Sequence, residues 1–93
     1  MKKNEIKFIG RDALMYFNGY EYFFVEAERI FSGEYDICLN DYISYCDKKG
    51  NIDQNREVSE DTVTTIQNAV LIELVNSGLK VITYPRDTSN RKI

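Results

Sequence analysis

Fifteen carboxylates, seven tyrosines and two cysteines are the side chains of this 93-residue chain that could do chemistry, and it has no histidine. Histidine is the usual general base near neutral pH and the commonest metal ligand. Without it, a Ser-His or Cys-His nucleophile cannot be assembled within the chain. A zinc site would have to draw four ligands from Cys38, Cys46 and carboxylates, which is a poor match to known donor sets. Asp41, Asp47 and Asp53 recur every sixth residue, but the D-x-D-x-D-G calcium loop is absent. The five glycines stand singly, so no phosphate-cradling loop is present. Paired-carboxylate hydrolysis needs a deep cleft, and a chain this short builds one small core. The expectation is no enzyme, no cofactor and no metal.

Cys38 and Cys46 are eight apart, on what read as different elements, and too few for a disulfide-built secreted module. A regulatory disulfide would need adjacent Cβ atoms. Small buried or half-buried residues are the simpler reading. No apolar leader opens the chain, and the longest apolar run, Ala69–Ile72, is far short of a membrane span. A cytoplasmic protein is expected.

Charge supplies the functional signal. Residues 1–11 carry Lys2, Lys3, Lys7 and Arg11 against Glu5. Residues 79–93 carry Lys80, Arg86, Arg91 and Lys92 against Asp87. Between them, residues 20–47 hold seven acids against Arg29 alone, interleaved with tyrosines. Such a block attracts a basic partner and speeds encounter. Tyrosine brings a wide apolar ring with a polar tip. The candidate partner-binding residues are Glu21, Glu26, Glu28, Glu34, Tyr35, Asp36, Asp41, Tyr42, Tyr45 and Asp47. Two plainer readings compete: a solvated acidic face, and tyrosines that close a thin core lacking tryptophan. The basic ends could touch phosphate, but the chain has a net charge of −3, so nucleic acid is not the expected partner.

The elements that would position these residues follow from periodicity. Ile6 and Phe8 alternate with Glu5 and Lys7, as in a short strand. Ala13–Phe17 and Tyr20–Ala27 flank Asn18-Gly19, the preferred pair of a two-residue type I′ hairpin. That turn would pair Phe17 with Tyr20, Met15 with Tyr22, Tyr16 with Glu21 and Leu14 with Phe23. Tyr35, Ile37 and Leu39 alternate as a further strand. Asn40-Asp41 reads as a turn or bulge, and Tyr42–Cys46 fits either a strand or a 3₁₀ turn. Asp47–Glu57 is a polar loop with Ile52 as a possible anchor. Ser59 caps a helix to Ser77 whose stripe is Val63, Ile66, Val70 and Leu74. Gly78 and Leu79 suit a Schellman end. Lys80–Tyr84 is a last strand, stopped by Pro85. The chain reads as one α+β domain, residues 1–85, with a polar tail, 86–93. Its core would be a mainly antiparallel sheet of four to five strands under one long helix. The other sheet face has no helix to cover it.

This pattern — aromatic-x-Asn-Gly hairpin, Glu34-Tyr35-Asp36-Ile37-Cys38-Leu39, a short Asp41-Tyr42-Ile43 stretch, a polar loop, a helix opening at Ser59-Glu60-Asp61 and a final strand — resembles the immunity protein 74 family. These are small α+β immunity proteins of bacterial polymorphic and contact-dependent growth inhibition toxin systems. The likeness runs from about Glu5 to Tyr84. It departs where the family often has tryptophan and this chain has Tyr45, and the loop Asp47–Gln54 lacks the family's proline. The resemblance implies an inhibitor that binds a cognate toxin domain, expected here to be a basic nuclease. Alternatives are a phage- or plasmid-encoded inhibitor of a host defence nuclease, a nucleic-acid-binding antitoxin or regulator, and a homodimer formed through the uncovered sheet face.

Overall fold

The computed structural model describes residues 4–30 and 33–83. Tyr84, Pro85 and the tail 86–93 lie outside the described residues. Five strands form one sheet in sequence order: β1 (Glu5–Phe8), β2 (Ala13–Phe17), β3 (Tyr22–Arg29), β4 (Ile37–Cys46) and β5 (Val81–Thr83). The first four pair antiparallel. β5 joins β4 in parallel, with Ile37 opposite Val81. A parallel neighbour needs a crossover, and α1 (Glu60–Asn76) lies in it.

Both helix ends follow from the residues that flank them. The Ser59 side chain accepts the Thr62 N–H, and Glu60 and Asp61 sit at the positive end of the dipole. At the other end the Gly78 N–H donates to the Val75 carbonyl at 2.9 Å and the Leu79 N–H to Leu74 at 3.2 Å. That is a Schellman closure, and Gly78 takes the positive φ it requires, 91°.

The helix stripe Val63, Ile66, Val70 and Leu74 is buried against one sheet face. Each such side chain contributes about 1.5–3 kcal/mol by leaving water. Two cross-strand rows form much of that face: Ile6–Tyr16–Phe23–Tyr45 and Phe8–Leu14–Val25–Ile43. Burial under the helix pushes the Tyr16 phenol pKa up, and the Glu73 carboxylate adds to it.

Three sequence expectations are corrected. The β2–β3 hairpin closes at Phe17–Tyr22, not Phe17–Tyr20. A type I′ turn needs positive φ at both central residues, and no non-glycine residue among those described has it. Instead the Asn18 Oδ1 accepts the N–H groups of Tyr20, at 2.9 Å, and Glu21, at 2.8 Å. The shift is two residues, so no strand side chain changes face. Second, Tyr42–Cys46 is strand and not 3₁₀, and the bulge expected at Asn40-Asp41 lies inside one continuous strand, β4, rather than between two elements. Its pairing with β3 jumps from Ala27–Leu39 to Val25–Ile43, so β4 carries two extra residues there. Third, Cys38 and Cys46 therefore lie on one strand, ~25 Å apart along it, beyond disulfide reach.

The face away from α1 is not bare. Its rows are Glu5–Phe17–Tyr22–Cys46 and Lys7–Met15–Phe24–Ser44. Ala13, Met15 and Phe17 are buried there. The turn after β4 folds back over that side. Lys48 lines the same shallow cavity as Met15, Phe17 and Tyr22, and a Cβ on Gly50 would meet the Ile9 Cδ1 at 3.2 Å. Gly50 also holds φ at 90°. Gly50→Ala should therefore lower stability by about 1–2 kcal/mol, read as a fall in the urea midpoint. An unchanged midpoint would show that the turn does not pack on Ile9.

Candidate protein-binding surface

Alternation along β3 and β4 decides which acids reach which surface. β3 spans ~23 Å, and its residues 23, 25 and 27 are buried against α1. Tyr22, Phe24, Glu26 and Glu28 consequently face the other way. Cys38, Asn40, Tyr42, Ser44 and Cys46 do the same on β4. The Tyr42 ring stands edge-on to Phe24, centroids 6.2 Å apart, and Tyr42 is 49% exposed. Phe17 stacks on Tyr22 at 4.6 Å. Asn40 Nδ2 donates to Glu26 Oε1 at 2.8 Å, and the Cys38 thiol approaches Asn40 Oδ1 at 3.6 Å. Among the described residues, no hydrogen bond or ion pair engages the Glu26 Oε2 or the Glu28 carboxylate. Half of the face is thus closed by the Asp47–Asn51 turn. The other half carries the exposed Tyr42 ring and the half-buried Phe24 ring, with Glu26 and Glu28 exposed on the same face.

The acidic block of the sequence is not one face. Of the ten candidates, Glu26, Glu28 and Tyr42 share one sheet face, with Glu28 opposite Cys38. Asp41 is buried, 6% exposed, because the alternation that turns Asn40 and Tyr42 outward turns it toward α1. It is not a surface residue for a partner. Glu34, Tyr35 and Asp36 form the bend entering β4. There the Asp36 carboxylate accepts the Lys80 N–H at 2.9 Å, and the Asp36 N–H donates to the Lys80 carbonyl at 2.7 Å. Asp36 therefore sets the register of β5. At the opposite end Glu21 and Tyr45 belong to an internal clamp. The Arg56 guanidinium lies 3.7 Å from the Tyr45 ring centroid and pairs with Glu21 at 2.7 Å. That contact pins the loop after β4 to the β2–β3 hairpin, and bonding to Glu21 raises the Arg56 pKa. Phe24, Tyr22 and Asn40 are face residues that charge-counting missed. The alternating pattern of β3 and β4 was the signal that could have found them.

Asp47 is structural as well. Its carboxylate accepts the Lys49 N–H at 2.8 Å, the Asn51 N–H at 2.9 Å and Asn51 Nδ2 at 3.1 Å. These bonds, those from Asn51 first, lower its pKa from the ordinary 3.8. Burial, with Asp47 beside it, pushes the Cys46 thiol up to about 11, so it stays protonated and unreactive at neutral pH.

Elsewhere, a cleft of ≈ 340 Å³ is lined by Phe8, Arg29, Ile30, Asp36, Ile37 and Leu79, with Arg29 stacked 4.4 Å over the Phe8 ring. Among the described residues no three metal-ligating side chains gather, and no helix is long and apolar enough to cross a membrane. Comparison with protein-family models, curated proteins and solved structures gives no match for this chain.

A depressed carboxylate pKa stabilises the fold above the unfolded value, and that contribution is lost as pH falls through the lower folded value. The acid limb of the urea-midpoint profile should therefore be shallower in Asp47→Asn than in the parent below about pH 4. Parallel acid limbs would remove Asp47 as the organiser of the turn.

Proposed function

We propose that this protein is an inhibitory binding protein of the immunity type. It would act in the cytoplasm on a basic toxin domain, a nuclease being the toxin class whose substrate channel best matches an acidic surface. The observation that carries this reading is the open half-face: the Phe24–Tyr42 ring pair beside Glu26 and Glu28, on the sheet side that α1 leaves uncovered. Aromatic rings supply the desolvated centre of a protein interface, and charges at its rim steer the encounter. The resemblance in element order to immunity proteins points the same way, as does the lack of histidine for catalysis. Regulation through nucleic acid would depend on the basic ends, of which Lys7 and Arg11 are described and Lys2, Lys3, Arg86, Arg91 and Lys92 lie outside the described residues.

The test is capture of a partner from the host lysate with tagged protein, at low and moderate salt, followed by assay of the captured domain. A single basic toxin domain, inactive while bound and active when released, is the expected result. Glu26→Lys with Glu28→Lys should slow association about tenfold or more at low salt and by less at high salt. Positive charge placed on the outer face of α1, Thr65→Lys with Asn68→Lys, should have little effect. Recovery of nucleic acid alone, or of nothing but a second copy, would replace the inhibitor reading.

A further inference from the structure

Among the described residues, the open half-face repeats, without a cation, an arrangement the chain fills elsewhere. In the clamp, Arg56 lays its guanidinium over Tyr45 at 3.7 Å while bonding Glu21 at 2.7 Å. One planar cation thus satisfies a ring and a carboxylate together. On the opposite side of the sheet, Tyr42 presents its ring beside Phe24. Glu26 lies two residues along β3 from Phe24, ~7 Å away. The Asn40 bond at 2.8 Å fixes one oxygen of Glu26 and leaves Oε2 unengaged among the described residues. Glu28 adds a second carboxylate on the same face, two residues further along β3 and opposite Cys38. Among the described residues no Lys or Arg pairs with either acid or stacks on Tyr42.

We infer that this half-face takes an arginine side chain of a protein partner as its anchor, stacked on Tyr42 and paired with Glu26, with Glu28 adding negative charge further along β3. The inference rests on the inhibitor reading for its occupant and deepens it by naming the residue recognised. Arginine fits better than lysine. A guanidinium is flat, weakly hydrated and carries donors in its plane, so it can stack and fork at once, whereas an ammonium is a strongly hydrated point charge. The two carboxylates repel the phosphates of a nucleic-acid occupant, which favours a cationic side chain of a protein.

The probe is N-acetyl-argininamide, titrated into the ¹⁵N-labelled full chain and followed by NMR, with the lysine analogue in parallel. Saturable shifts centred on Phe24, Glu26 and Tyr42 are expected, with the lysine analogue weaker. Tyr42→Leu should weaken binding about two- to fivefold, the size of an exposed cation–π contact. Tyr20→Leu, at the hairpin tip where Tyr20 is 90% exposed, should leave it unchanged. Shifts that never saturate, equal response to lysine, or indifference to Tyr42→Leu would overturn the inference. So would binding that emerges only in Arg86→Gln/Arg91→Gln, because the occupant would then be the chain's own arginine. Partner capture separates the two claims. If Tyr42→Leu/Glu26→Gln captures and silences the toxin as the parent does, the anchor is wrong and the inhibitor reading stands. If no toxin is captured but the arginine site titrates as described, the inhibitor reading fails alone.

Discussion

A single amphipathic helix can cover only one face of a five-stranded sheet, and the rest of this molecule is arranged around that shortage. The four-residue stripe of α1 claims the face built from Tyr16, Phe23, Val25, Leu39 and Ile43. Because strand side chains alternate, that choice commits Tyr22, Phe24, Glu26 and Glu28 to the other side in one stroke. The chain has no second helix among the described residues with which to cover them. It uses the turn after β4 instead, closed internally by Asp47 and fastened at its far end by Arg56 to Tyr45 and Glu21. The turn reaches Met15 and Phe17 but not Phe24 and Tyr42, and the open half-face is what remains.

Much of this was legible in the residues. The Ser59 cap and the Gly78-Leu79 closure are local signals whose partners lie within a turn of the helix, and the Val63–Leu74 stripe is a periodicity carried by the helix alone, so all three survive folding unchanged. The strands were legible as alternation, and so was a sheet face without a helix. What resisted reading depended on partners far along the chain. The hairpin register turned on whether Asn18 would bond through its side chain or adopt positive φ. The continuity of β4 turned on two extra residues that only pairing with β3 reveals. Assigning Cys38 and Cys46 to different elements was the direct consequence of missing that continuity.

The acidic block shows the limit of counting charge along a chain. Residues 20–47 cross the sheet twice, so their acids are dealt to both faces, both ends and the interior. Asp41 is inside, Asp36 holds β5, Asp47 holds its turn and Glu21 holds Arg56. Half of what looked like a binding surface is the fold's own fastening. Glu26 and Glu28 lie instead on the face that carries the exposed Tyr42, and Glu34 lies at the bend beside the exposed Tyr35.

Hydroxyl-radical footprinting of the protein alone and bound to its captured partner tests the central claim most directly, because it reads aromatic side chains one by one. The account predicts that Tyr42 and Phe24 lose reactivity on binding, while Tyr20 at the hairpin tip and Ile72 and Val75 on the outer face of α1 keep theirs. Protection of Ile72 and Val75 with Tyr42 unchanged would contradict it, and would move the binding surface to the helix.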